Sequence, residues 1–257
     1  MGAGASASPR APGAGTPSVS KVNFPLASGS VARVCINDST TVALITDAGG
    51  AVRVRELSDR FVLYSDRTPD RLDFEKCVKV AKLGYAFENE GSVDELVQMI
   101  ERAVRDLSAS GAGFQSVALA NHGPAAAADG GFEWAITSTI KLANAAELQD
   151  PQNGVRRVLE ALAKATVDGG RVDLFACNLL ATEEGKAVLK EIEAVTKTNF
   201  AASTNKTGNP TQKDSDWVME SDGVDVRDLY FGDTGAFDGT FWEGAGFGSF
   251  WFPILWP

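Results

Sequence analysis

The chain has 257 residues, 44% of them hydrophobic, and a formal net charge of −10 at pH 7. That length and apolar content suffice for one sizeable core or two small ones. So acidic a surface repels phosphate backbones, which argues against nucleic acid as a partner. No apolar run approaches the ~18 residues needed to cross a bilayer. The longest is the terminal Phe250–Pro257, which contains two prolines, so a soluble globular protein without a transmembrane segment is predicted.

The cysteines are Cys35, Cys77 and Cys177, odd in number, far apart and without a C-x-x-C pair. This pattern does not suit a disulfide-built scaffold and favours a reducing compartment, cytosol or organelle stroma. One histidine and no paired cysteine leave zinc too few of its usual ligands. No aspartate-rich loop of the calcium-binding kind is present. No metal and no cofactor are predicted.

Residues 1–30 form an arm of Ala, Gly, Ser and Pro with too few large apolar side chains to pack. Its start places Gly2 and Ser6 as the N-myristoylation pattern requires, and the lack of acidic residues before Asp38 also suits the end of a transit sequence; a plain disordered arm is the third alternative. A compact α/β domain is predicted over 31–229. Thr41–Thr46 and Ala51–Leu57 read as a β-hairpin around the Asp47-Ala-Gly-Gly50 turn, and Phe61–Tyr64 and Val78–Tyr85 as further strands. Ser92 and Glu95 form a capping box in front of a helix with Val93, Leu96, Val97, Ile100, Val104 and Leu107 on one face, closed by Gly111 and Gly113. A strand then runs to His122. A second helix opens at Asp150-Pro151, carries Val155, Val158, Leu159 and Leu162, and stops at Asp168-Gly169-Gly170. A strand to Cys177 follows, then a third helix, about Glu183 to Lys197, behind Thr182, and a strand over Asn199–Thr204. Alternating strands and helices in this rhythm predict a mostly parallel sheet covered on both faces.

His122 is the only histidine of the chain, and it closes one buried-type strand while Cys177 closes the next. If the two strands are parallel neighbours, both residues emerge at the sheet edge where open α/β proteins bind ligands. A thiolate and an imidazole within hydrogen-bond reach make the minimal nucleophile–base pair for acyl transfer. The alternatives are a small buried thiol without chemistry and a hydrogen-bonded strand-end histidine. No G-x-S-x-G elbow is present for a serine hydrolase.

Asn121-His122-Gly123 and Cys177, 55 residues beyond His122, resemble the His-Gly and Cys elements of caspase-like cysteine peptidases, in which the interval is about 50 residues. A closer resemblance is to the uncharacterised caspase-like domain of large bacterial surface proteins with cadherin-like repeats. It rests on Asn121-His122-Gly123, on Asp173 leading to Cys177-Asn178, on Ala201–Gly208 and on Asp216–Glu220, and covers roughly residues 75–226. The resemblance implies a caspase-like three-layer α/β sandwich. It also implies Cys177 as nucleophile, His122 as base, and the N–H groups of Gly123 and Cys177 as an oxyanion hole. Pro124 and the bulky Leu179-Leu180 depart from the pattern of that group and could narrow or re-pack the groove. Asp173 and Asp216 are candidates for a pocket that takes a basic side chain, or for ordinary strand-end hydrogen-bonders.

Residues 230–257 form a tail of aromatics among glycines. Trp242, Phe250, Trp251, Phe252 and Trp256 are candidate anchors for a protein partner or a membrane surface; the plain alternative is that the tail folds back on its own domain. Two functions follow. The leading expectation is a non-catalytic caspase-like module, an accessory or assembly subunit docked through its aromatic tail and N-terminal arm. The alternative is a cysteine peptidase using Cys177 and His122.

Overall fold

A computed structural model describes residues 31–37, 40–46, 51–66, 84–126, 131–208 and 215–230. The arm with Gly2, the turn at 47–50, most of the strand predicted at 78–85 and the tail with Trp242, Phe250, Trp251, Phe252 and Trp256 lie outside the described residues. Strands β1 (Val31–Asn37), β2 (Thr40–Thr46) and β3 (Val52–Leu57) form an antiparallel sheet in the order β1-β2-β3. The predicted hairpin is its β2–β3 pair, with Leu44 opposite Val54. β1 is an addition to that expectation.

The remaining elements build the main body. β4 (Arg60–Ser65) and β5 (Gly84–Phe87) precede helix α1 (Val93–Leu107). β6 (Phe114–Ala120) leads into an antiparallel excursion of β7 (Ala125–Ala126), β8 (Phe132–Ala135) and β9 (Lys141–Leu142). A 3-10 turn at Ala145–Gln149 and helix α2 (Gly154–Lys164) lead to β10 (Thr166–Phe175). Helix α3 (Glu183–Thr196) and β11 (Asn199–Ala202) follow. Short strands β12 (Lys206–Thr207), β13 (Ser215–Asp216), β14 (Val218–Met219) and β15 (Val224–Asp225), then the single-turn helix α4 (Arg227–Tyr230), complete the described chain.

The main sheet has the order β11-β10-β6-β4-β5, every pair parallel. Read from the β5 edge and counted along the chain, its five strands stand second, first, third, fourth, fifth. This is a doubly wound order, with its switch point between β4 and β6. Alternation along each strand divides the core in two. Phe61, Leu63, Val117, Leu119, Val172, Leu174 and Phe200 pack against α1, α2 and α3. Val62, Tyr64, Ala118, Ala120, Phe175 and Ala201 pack against Trp217, Met219, Val226 and Tyr230. The three-layer α/β arrangement is therefore present. Among the described residues, the second face is covered by the β14–β15 hairpin and α4. No helix among them is long and apolar enough to cross a membrane.

The caps follow the expected chemistry at two helices. Ser92 Oγ accepts from the Glu95 N–H while Glu95 accepts from the Ser92 N–H at 2.8 Å, and Thr182 Oγ1 accepts from the Gly185 N–H at 3.1 Å. The start of α2 differs. Its cap is Asn153, which accepts from the Arg156 N–H at 3.1 Å. Asp150 instead closes a local turn on the Gln152 N–H, because the Arg156 guanidinium takes the Leu148 and Gln149 carbonyls and fixes the chain ahead of the helix. Its end also differs. Asp168-Gly169-Gly170 does not stop α2 but lies inside β10, where pairing jumps from Thr166↔Phe114 to Arg171↔Ser116. Gly169 carries the loop-out at φ +76°, a conformation that glycine takes without strain.

Below the C-terminal end of β10, Asp173 is 0% exposed. It accepts from Arg171 Nε at 2.9 Å and from the Tyr230 hydroxyl at 2.6 Å, and Arg171 also reaches Asp222 at 3.0 Å. The Arg60 guanidinium donates to the Asp228 and Leu229 carbonyls. These contacts fasten α4 to the sheet. Tyr230→Phe removes one donor from a buried carboxylate and is expected to cost about 1–3 kcal/mol in urea unfolding at neutral pH. Burial, with Asp173 beside it, raises the Tyr230 phenol well above its ordinary value. The folded state thus keeps a proton that the unfolded phenol loses near pH ~10. The stabilisation is whole below that pH and declines as pH rises above it. Between neutral pH and pH ~11 the gap in unfolding free energy between wild type and Tyr230→Phe is expected to shrink.

Candidate active site

β6 and β10 are parallel neighbours, with Leu174 opposite Leu119 and Phe175 opposite Ala120. The ladder runs one step past the strand ends, since the Asn121 N–H donates to the Phe175 carbonyl at 3.2 Å. His122 and Cys177 therefore leave the sheet at the same C-terminal edge. Each lies two residues beyond the Ala120–Phe175 pair. His122 is exposed and Cys177 is partly buried.

Gly123 joins the two strand ends most closely. A Cβ at this position would lie 1.7 Å from the Cys177 carbonyl oxygen and 3.0 Å from the Cys177 nitrogen. The backbones touch, and only glycine permits it. Among the described residues, neither the Gly123 N–H nor the Cys177 N–H donates to a carbonyl, so the two expected oxyanion donors are not committed to another peptide.

After Cys177 the chain turns sharply. Asn178 adopts a left-handed conformation at φ 57°, which asparagine tolerates better than most residues, and its N–H donates to the Asn205 carbonyl at 2.6 Å. The turn sends Leu179 and Leu180 inward, 0% and 5% exposed. Their bulk joins the core, so they do not narrow a surface groove.

The sulfur contacts the loop after β11. Cys177 Sγ lies 3.8 Å from the Thr207 carbonyl oxygen, a contact in which a thiol donates. Burial pushes the thiol up, outweighing the opposing effects of the hydrogen bonds around the sulfur and of the Lys206 charge. The resting side chain is thus a thiol rather than a thiolate. Thr207 lies within the Ala201–Gly208 motif, but that motif carries no sign of a contact with the sulfur; the fold places Thr207 and Lys206 beside Cys177.

The two acidic candidates separate. Asp173 is sealed beneath the sheet edge by Arg171 and Tyr230, so it lines no pocket. Its burial is the physical reason: a residue at strand phase on a covered face has no route to solvent. Asp216 stays near the edge, paired through β12–β13 with Thr207, and accepts from Asn205 Nδ2 at 3.2 Å and from the Val218 N–H at 2.9 Å. Glu220, to which no role was assigned, accepts from the Thr204 N–H at 2.8 Å and pins the same loop. Asn121 is 9% exposed, donates to the Ala135 carbonyl at 2.8 Å, and its own Oδ1 has no hydrogen-bond partner among the described residues. Among the described residues no group of three or more His, Cys, Asp or Glu side chains is arranged to hold a metal ion.

No curated protein and no solved structure matches the chain. A family model does match, described as a domain of unknown function, DUF4347, over residues 91–236. The match spans more than half of the chain and takes in both strand ends, the Cys177 turn and the loop that holds the thiol, so this protein belongs to the DUF4347 family.

Proposed function

We propose that this chain is a caspase-like cysteine hydrolase of the peptidase type, with Cys177 as nucleophile and His122 as base. The observation that carries the reading is the contact of Gly123 with the Cys177 peptide. It holds the residue after the base against the peptide of the nucleophile, and the N–H groups of Gly123 and Cys177 would be the donors that a developing oxyanion needs. In acyl transfer, the Cys177 proton passes to the His122 ring as the S–C bond forms. The tetrahedral oxygen is met by the two N–H groups, and the ring returns the proton to the leaving amine as the C–N bond breaks. Water then releases the acyl group by the same proton traffic.

The expected resemblance to caspase-like domains agrees with this assignment. It is supported by the order of the parallel strands and by base and nucleophile following the third and fourth of them. The contact between the thiol and Thr207 describes the resting site: one S–H···O interaction must break before the sulfur turns to the ring.

That same contact favours a second reading, a silent caspase-like module serving as an accessory subunit. A desolvated thiol held by a carbonyl is a poor nucleophile. In this case the aromatic tail and the arm would do the work, docking on a protein partner or at a membrane surface.

Site-resolved mass spectrometry after brief iodoacetamide treatment separates the two. The hydrolase reading expects Cys177 to be alkylated faster than Cys35 and Cys77 and to lose that advantage in His122→Ala. Equal labelling of all three cysteines, unchanged in His122→Ala, supports the silent module. Gly123→Ala is expected to destabilise the fold by about 1–3 kcal/mol in urea, as overpacking at a rigid contact does, and to slow Cys177 alkylation by forcing the two strand ends apart.

A further inference from the structure

The sheet places a third side chain in line with the first two. Tyr64, Ala120 and Phe175 form one row across β4, β6 and β10 by register. Two residues beyond each, past the strand ends at the same edge of the sheet, stand Asp66, His122 and Cys177. The ends are held in that register beyond the strands themselves. The Asp66 N–H donates to the Phe87 carbonyl at 2.8 Å, and the Asn121 N–H donates to the Phe175 carbonyl at 3.2 Å. The β4–β6 junction is also the switch point of the sheet, where the crevice of such folds opens.

Asp66 is fixed as an orienting group must be. Its Oδ1 accepts from the Asn89 N–H at 3.1 Å, and the Asn89 carbonyl in turn accepts from the Ser138 N–H at 2.8 Å. The carboxylate is thereby tied to the end of β5 and to the excursion that follows His122. One oxygen is committed to a peptide; the other accepts no hydrogen bond among the described residues. Asp173 and Asp216 cannot serve in its place. The first is sealed beneath Arg171 and Tyr230, and the second lies on the β11 side of Cys177, away from β6.

We infer that Asp66 is the positioning residue of the site: when the His122 ring turns to Cys177 for catalysis, the second oxygen of Asp66, which accepts no hydrogen bond among the described residues of the resting structure, takes up one ring N–H and keeps the other ring nitrogen on Cys177. This inference rests on the hydrolase reading. A base that must both take and return a proton needs its tautomer selected, and an adjacent carboxylate does this without itself gaining the proton. The proton of Cys177 moves only to His122 and from there to the leaving group, while Asp66 only accepts a hydrogen bond from the ring.

The test uses the full chain and its single histidine, whose ring nitrogens give one unambiguous set of signals in a long-range ¹H–¹⁵N spectrum. Asp66→Asn retains an oxygen for the Asn89 N–H but turns an amide donor toward the ring. The expected outcome is a shift of His122 to the other tautomer, with Cys177 alkylation slowed by about 10²-fold or more. Asp66→Glu, which keeps the carboxylate, is expected to retain the wild-type tautomer and most of the rate. If His122→Ala slows alkylation but Asp66→Asn alters neither rate nor tautomer, the role of Asp66 is overturned and the dyad stands. If His122→Ala has no effect on alkylation, the hydrolase reading fails and the role of Asp66 fails with it. Should Asp66→Asn unfold, Asp66→Ser, which keeps one oxygen for the Asn89 N–H and lacks the second, decides the same question: loss of the wild-type tautomer supports the role and its retention overturns it.

Discussion

Register between β4, β6 and β10 is the constraint on which the rest depends. Parallel strands in one sheet present their carboxyl ends at one edge, and a two-residue side-chain period then fixes which residues share a face. Tyr64, Ala120 and Phe175 are the last residues of this sheet to form a full row. The candidate chemistry lies two residues beyond that row. A slip of one residue in any of the three strands would move that strand's contribution to the other face, against α1, α2 and α3. The buried partners make such a slip costly: Phe61, Leu63, Val117 and Leu119 would leave the helical core, and Val62 and Ala118 would leave the other.

Two close backbone events convert this register into a site. Gly123 lies against the Cys177 peptide without room for a methyl group, and Asn178 turns the chain away in a left-handed conformation. Together they bring the residue after His122 to the Cys177 peptide and then clear the chain from the edge. The cost is a thiol partly withdrawn from water and facing the Thr207 carbonyl. Desolvation and alignment pull in opposite directions here, and their balance separates a working dyad from a silent relic of one.

Beneath the edge, polar and apolar packing fasten the covering layer. Phe175 meets Trp217 and Tyr230 edge-to-face, with ring centroids 5.5 and 5.2 Å apart. The Tyr230 hydroxyl and Arg171 satisfy a carboxylate that would otherwise be intolerable at 0% exposure. Asp173 thus belongs to the stability of the layer below the site, which is the hydrogen-bonding role among the two that its position allowed.

Much of the fold was legible in order of residues. Period-two and period-3.6 patterns located β2, β3, β6, β10 and the helices, and side-chain capping chemistry located the starts of α1 and α3, because these signals act within one turn or one strand. That the strands before His122 and Cys177 are parallel neighbours was also legible, since consecutive parallel strands tend to be neighbours. The start of α2 and the loop-out in β10 were not, because Arg156 and the β6 register, not local propensity, set them. Asp66 was invisible: it ends a strand whose neighbour in space, β6, follows in sequence only after another strand and a helix. Local chemistry is written in the chain, whereas which side chains share a row, which carboxylate is sealed and which carbonyl holds the thiol depend on the strand order. That order is chosen by burial of the whole sheet, and no short stretch of sequence encodes it.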